Sequence, residues 1–323
     1  MNAPIGVLLM TYGSAQTADE VPQYLASVRG GRPAGPELIA EFRRRYELIG
    51  FSPLVRVTQA QGQALQERLD ATHGRGAYRV EVGMLHSDPP IEAAVRRLAA
   101  ARVQGLVGIV LSPQWSPIIM GGYTRAFEAA AEAHLPAIPR RLAGPWNELP
   151  AFIDALSTRV REALARFSPA QRERLAIMLT AHSLPEAVVQ REPEYLEQIM
   201  ATVSAVARSA GLADGDWEFA YQSAGHSPEP WLTPDLKDLL PGHRRAGKEA
   251  VLVVPVQFLA DHLEILYDID VAAREEAENE GLAFHRIELM NTSPAFIRAL
   301  QEVVTREEGS LQTAGVTSQT SNT

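Results

Sequence analysis

The segment "TAHSLP" (180–185) ends an apolar run, "LAIMLTAHS" (175–183), on His182 and Ser183. An imidazole titrates near neutral pH, so at a crevice rim it can accept a proton or ligate a cation; in a core it is only a satisfied polar group. A second apolar run, "AVLVVPVQFL" (250–259), leads straight into "DHLEILYDID" (261–270). On a helix starting there, Asp261 serves as N-cap, and Glu264 and Asp268, spaced by three and four residues, share its face. That face is either a capping acid with a solvated acidic stripe or a carboxylate row at the same rim as His182. In the second case His182 and Glu264 offer one nitrogen and one oxygen ligand to Fe2+, Mn2+, Co2+ or Zn2+, with the remaining positions left to water or substrate. Such a pair is too sparse for a structural site, which closes with four ligands. It suits capture and release of an ion, and it can also move protons.

Donors for anions are concentrated early in the chain. The segment "VRGGRPAGPELIAEFRRRYELIGFSPL" (28–54) carries Arg29, Arg32, Arg45, Tyr46 and Ser52. Arginine forks carboxylates bidentately and hydroxyls add single donors; a solvated helix face flanked by loop arginines has the same composition. Two further segments read as rim loops. "QWSPIIMGGYTRAFEAA" (114–130) offers Ile118, Ile119 and Met120 before two glycines and Tyr123, as an apolar lip or as plain packing. "YQSAGHSPEPWLTPDLKDLL" (221–240) is a proline-rich loop with His226 and an aromatic anchor, Trp231.

The elements that must position these groups alternate regularly. Strand-like stretches at 5–13, 78–86, 106–113, 175–183, 217–223 and 250–259 are separated by amphipathic helical stretches, which implies βαβ units and parallel sheets buried on both faces. Open parallel sheets bind ligands outside the carboxyl ends of their strands. Those ends carry Tyr12, His86, Ser112, His182 and Gln222. The pattern runs twice, with "AGPWNELP" (143–150) as the seam. The expected fold is therefore α/β, two doubly wound, Rossmann-like halves with a cleft between them. The first half spans 1–145, with the closing helix 293–306 packing back on it; the second spans 146–292; 307–323 is polar and read as a disordered tail.

Composition narrows the function. The chain has 323 residues, 46% of them hydrophobic, and a net charge of −9. An acidic balance argues against broad nucleic-acid binding. The absence of cysteine excludes disulfides, thiolate metal sites and iron–sulfur clusters. No apolar run approaches the roughly 20 residues of a membrane span, and no basic leader precedes the first strand, so the expectation is a cytoplasmic protein without a transmembrane segment. Dinucleotide, P-loop, zincin and nucleophile-elbow motifs are missing.

The stretches "LLMTYGS", "RRRYELIGFSPL", "TAHSLPE", "YQSAGHSPEPWLTPD", "VPVQFLADHLEILYDID" and "MNTSPAFIRAL" together resemble the ferrochelatase family, in that family's order and over nearly the whole chain. The form "YQSAGHSPEPWLTPD" is similar to the bacterial branch that inserts iron into coproporphyrin III. The resemblance implies a chelatase-type fold and a lyase of haem biosynthesis that inserts Fe2+ into coproporphyrin III to give coproheme. Fe2+ and the porphyrin are then substrates, no cofactor is permanently bound, and a monomer hands its product to the next haem-pathway enzyme. It assigns His182 and Glu264 to metal binding and proton handling, and Tyr12 to the axial face of the porphyrin iron. Arg29, Arg45, Tyr46, Ser52 and Tyr123 match positions that hold the porphyrin and its propionates. His86 matches a histidine near the substrate, preceded here by Leu85 where relatives can have lysine, and Asp268 becomes an outward step for the proton. His226 replaces a smaller polar residue. The alternatives are a protoporphyrin IX ferrochelatase giving protohaem, a chelatase for another tetrapyrrole or for a metal such as cobalt, and a non-catalytic tetrapyrrole or haem carrier. A carrier would not need His182 and Glu264 together.

Overall fold

The computed structural model describes residues 3–225 and 228–319; His226 lies outside the described residues. The chain folds into two units. One comprises the described parts of Met1–Arg43, Pro53–Trp146 and Asn291–Thr323, the other Arg44–Ser52 and Asn147–Met290. Each unit is built on a four-stranded parallel sheet.

In the first unit the strands are β1 (Ile5–Thr11), β2 (Tyr78–Met84), β3 (Gly105–Val110) and β4 (Arg140–Leu142), in the order β2-β1-β3-β4. In the second they are β5 (Leu175–His182), β6 (Trp217–Gln222), β7 (Ala250–Pro255) and β8 (Ala283–Arg286), in the order β6-β5-β7-β8. The central strands are covered on both faces: Val7, Leu8, Leu9 and Met10 of β1, and Val251 to Val254 of β7, are fully buried. Continuous burial is why these strands read as unbroken apolar runs. The edge strands β4 and β8, "RRL" and "AFHR", carry no such run because an edge is covered less and tolerates charge. Sequence reading passed over both. In each sheet the connections leave the first strand in opposite directions, which creates a switch point between β1 and β3 and another between β5 and β7.

Two expectations change. The stretch 114–130 is not a loop: Pro117–His134 is a helix, started by Pro117 at its first position and by Ser116, whose Oγ accepts a hydrogen bond from the Ile119 N–H at 3.1 Å. Its paired glycines disguised it. The polar stretch beyond 306 continues a helix, Pro294–Gln319. Arg141 Nε reaches Glu307 Oε2 at 2.6 Å, Tyr78 donates to Glu308, and Leu311 is buried. Glu307 and Glu308 are thus paired with residues of the first unit; residues 320–323 lie outside the described ones. Among the described residues no helix is long and apolar enough to cross a membrane.

Gly83 allows the helix Ile91–Ala100 to lie close against β2, since a Cβ there would stand 2.7 Å from Ile91 Cα. Gly83→Ala is expected to cost about 1–3 kcal/mol through overpacking. Urea unfolding of the variant measures this; an unchanged midpoint would contradict so close an approach.

Candidate active site

His182 is the last residue of β5, and its hydrogen-bonded partner strand places it opposite Gln222. The turn that follows is tied down. Ser183 N–H donates to Gln222 O at 2.8 Å, Ser183 Oγ donates to Leu232 O at 2.9 Å, and Pro185 bridges Trp231. The proline-rich loop therefore braces the turn behind His182. Across the switch point, β7 ends at Pro255 and the chain delivers Gln257, Phe258, His262 and Glu264. Gln257 Oε1 accepts the His182 N–H at 3.0 Å, and its amide is in turn bonded to the Tyr195 hydroxyl.

Two imidazoles converge on one carboxylate oxygen. His182 Nε2 lies 3.7 Å and His262 Nε2 3.6 Å from Glu264 Oε2. Both distances are just longer than a hydrogen bond and become ion-pair contacts when the imidazole is protonated. Each ring has its other nitrogen engaged by a carbonyl: His182 Nδ1 donates to Ser183 O, and His262 Nδ1 donates to Ala260 O at 2.9 Å. With the Nδ1 protons fixed, both Nε2 atoms are left to face Glu264.

The charges follow from this arrangement. Burial alone would raise the Glu264 carboxyl, but the neighbouring His182 and His262 outweigh it and hold the group at about 2. Burial likewise opposes protonation of His262, and Glu264 overturns it, so His262 sits above its ordinary value. The side chains of His182, Glu264 and His262 keep 26%, 41% and 17% of their surface accessible, so the cluster is reachable from outside.

Glu264 opens a π-helical stretch, Glu264–Ala273, continued by the helix Arg274–Asn279. Such winding is rare and is frequent at functional sites. Asp268 lies further along it; burial and the Glu264 charge raise its carboxyl against the opposing pull of Ser223, Arg45 and His182. Arg45 Nη1 stands 4.0 Å from Asp268 Oδ1, and its guanidinium covers the Tyr267 ring at 4.8 Å. Arg44 donates to the Tyr267 hydroxyl at 2.7 Å. Asp261 is not the N-cap. The capping position is Leu263, without a side-chain bond, while Asp261 pairs with Arg286 at 3.3 Å. The sequence could not show this partner, because Arg286 lies in the unmarked strand β8.

The first unit assembles a separate group. Tyr12, just beyond β1 and 40% exposed, sets its ring edge-on to His86 at 4.5 Å. His86 N–H donates to Tyr12 O at 2.9 Å, and His86 Nδ1 shares a 3.0 Å hydrogen bond with Ser27 Oγ. Burial lowers the His86 pKa and raises that of Tyr123, whose ionisation the phenolate of nearby Tyr12, once formed, would oppose further. Arg29 is exposed at the end of the helix Val21–Val28. Tyr123 is buried in the same unit, whereas Tyr46, wholly buried and stacked on Phe51 at 6.0 Å, and Ser52, also buried, belong to the second unit; these three hydroxyls stand inside the packing and not on a rim.

Sequence reading overlooked His262. Two residues before Glu264, it would point away from that residue on an ordinary helix. It stands instead in the loop before the helix, where the chain bends it back. Gln257 and Tyr195 gave no signal at all. Among the described residues no group of three or more His, Cys, Asp or Glu side chains forms a metal-binding cluster.

Paired parallel sheets with an imidazole–carboxylate centre at one switch point define a chelatase-type α/β protein. The fold is similar to that of the sirohydrochlorin chelatase SirB from Bacillus subtilis subspecies spizizenii in complex with cobalt, with a TM-score of 0.56 at 12% identity over 95% of this chain and 97% of that one. It is also similar to CbiX, the terminal enzyme of sirohaem biosynthesis in denitrifying bacteria, with a TM-score of 0.54 at 13% identity, 93% and 98% covered. The ferrochelatase family model matches residues 4–308. A ferrochelatase of Herpetosiphon aurantiacus is 38% identical over 306 residues, 94% of this chain and 99% of the relative. A coproporphyrin III ferrochelatase of Geobacillus kaustophilus is 36% identical over 316 residues, 94% and 97%, and that of Bacillus subtilis 32% over 307 residues, 94% and 98%. The chain belongs to the ferrochelatase family, enzymes of porphyrin metallation in haem biosynthesis.

A carboxyl held at about 2 contributes stability above its ordinary value of 4.5 and loses it as pH falls toward 2. The difference in unfolding free energy between wild type and Glu264→Gln should therefore shrink over that interval. Urea titrations at several pH values read it directly; a difference independent of pH would contradict the paired, ionised Glu264.

Proposed function

We propose that this chain inserts Fe2+ into coproporphyrin III to give coproheme, and that His182, His262 and Glu264 meet the iron and take up the displaced protons. The observation that carries the reading is the convergence of two Nε2 atoms on one ionised carboxylate oxygen. A free-base porphyrin holds two central N–H protons, both released as the iron–nitrogen bonds form. His182, its Nδ1 proton committed to Ser183 O, has Nε2 as the acceptor for a pyrrole proton. Glu264 stabilises the imidazolium that results and the incoming cation alike. Asp268, whose carboxyl is raised and so readier to carry a proton, is the next step outward. Insertion needs a bent ring, and remote binding energy must supply that distortion.

Tyr12, exposed and supported by His86, is the residue we assign to the axial face of the porphyrin iron. Arg29 and Arg45 are assigned to propionates, with Tyr46, Ser52 and Tyr123 shaping the surroundings from within the packing. The four propionates of coproporphyrin make use of an arginine-rich segment in an acidic chain, and relatives named as coproporphyrin III ferrochelatases support the same choice. On this reading Fe2+ is a substrate, no cofactor is resident, and a cytoplasmic monomer passes coproheme to the enzyme that consumes it.

Anaerobic Fe2+ insertion followed by absorbance, with coproporphyrin III and protoporphyrin IX at equal concentration, tests the substrate. Faster turnover of coproporphyrin is expected; the reverse preference would make the chain a protoporphyrin enzyme. His182→Ala should lose insertion by about 10²–10⁴-fold as a missing proton acceptor while still binding porphyrin. Tight haem binding with no turnover of either porphyrin would leave a carrier.

A further inference from the structure

We infer that Arg286 is a positioning residue for the insertion centre: from strand β8 it grips the loop before Glu264 and the π-helical turn after it, and so fixes where His262 and Glu264 stand. Its Nε and Nη2 fork the carboxylate of Asp270 at 2.8 and 2.7 Å. The same Nη2 reaches Asp261 Oδ1 at 3.3 Å, and Nη1 donates to the Ile287 carbonyl at 2.9 Å. Its side chain is only 13% exposed. One guanidinium thus holds a residue immediately before His262 and another on the helix that Glu264 opens. It touches neither His262, Glu264 nor His182.

Three features make that grip consequential. The backbone between the two gripped aspartates is π-helical from Glu264 on, a rare winding met mostly at functional sites, and tertiary ties fix its position here. A second arginine, Arg274, stitches the same stretch to β8 by donating to Asp270 O at 2.9 Å and Phe284 O at 3.3 Å, which leaves Arg286 as the tie that also reaches Asp261. The contacts being positioned, 3.6 and 3.7 Å, are already long for charge-paired groups, so a small shift of the segment breaks both. Lysine cannot replace this residue, because a point charge lacks the planar fork that serves both aspartates and a carbonyl.

The inference rests on the reading of Glu264 and His182 as the working pair, and the experiment separates the two. Anaerobic Fe2+ insertion is measured for the full-length wild type, Arg286→Lys, Asp261→Asn, the double variant and His182→Ala, varying Fe2+ and porphyrin independently, with thermal melting of each. Arg286→Lys is expected to lose about 10–100-fold in kcat/KM for Fe2+, the usual scale for a residue that orients metal-handling groups, with the KM for porphyrin unchanged. Asp261→Asn should lose less in the same direction, and the double variant should be no worse than Arg286→Lys alone, because the two residues act through one contact. A folded Arg286→Lys with wild-type iron kinetics would overturn the inference, as would equal losses for iron and porphyrin that track the melting temperature. Should Arg286→Lys fail to fold, wild-type iron kinetics in Asp261→Asn would overturn it. Wild-type insertion by His182→Ala would instead sink the underlying reading, whatever Arg286→Lys does.

Discussion

An ionised carboxylate shared between two imidazoles is the constraint on which the second unit depends. Removing a charge from water is costly unless it is paired. Burial works against the ionised Glu264, and His182 and His262 reverse that effect. The pairing demands that both rings present Nε2, which demands in turn that both Nδ1 protons have acceptors. Ser183 O and Ala260 O supply them. Each carbonyl belongs to a backbone turn just past a strand, so the orientation of two side chains is set by where β5 and β7 end.

The sheet order explains why those ends meet. β5 and β7 are neighbours in register from Leu175 opposite Ala250 to Thr180 opposite Pro255, and the chain leaves them on either side of the switch point. The first unit repeats the scheme with different chemistry: Tyr12 and His86 leave β1 and β2, and Ser27 completes a short polar chain. One architecture thus yields an acidic–imidazole cluster in one unit and a phenol–imidazole cluster in the other. The relatives named as ferrochelatases match nearly the full chain, so both clusters fall within the shared family region.

Much of this was legible in the sequence wherever burial wrote a pattern. The central strands announced themselves because both faces are covered, and a histidine closing such a run stood out against its apolar neighbours. What stayed hidden depended on long-range partners. β8 is four polar-leaning residues at a sheet edge, so Arg286 gave no warning that it would claim Asp261 from its expected capping role. The helix Pro117–His134 was obscured by Gly121 and Gly122, although Ser116 and Pro117 form a proper start. His262 carried no signal, because helical spacing would turn it away from Glu264 and only the late start of the helix brings the two together. The stretch after 306 looked disordered because its acids are paired with Arg141 and Tyr78, residues far away in sequence.

The central claim is that the Glu264 carboxylate works in iron insertion as well as in holding two imidazoles. Single-turnover insertion by Glu264→Gln, under anaerobic conditions with porphyrin bound in advance, tests it most directly. A rate lower by about 10²–10⁴-fold, the scale of a lost proton-handling group, is expected with porphyrin affinity retained. A variant that binds porphyrin and inserts iron at the wild-type rate would contradict it.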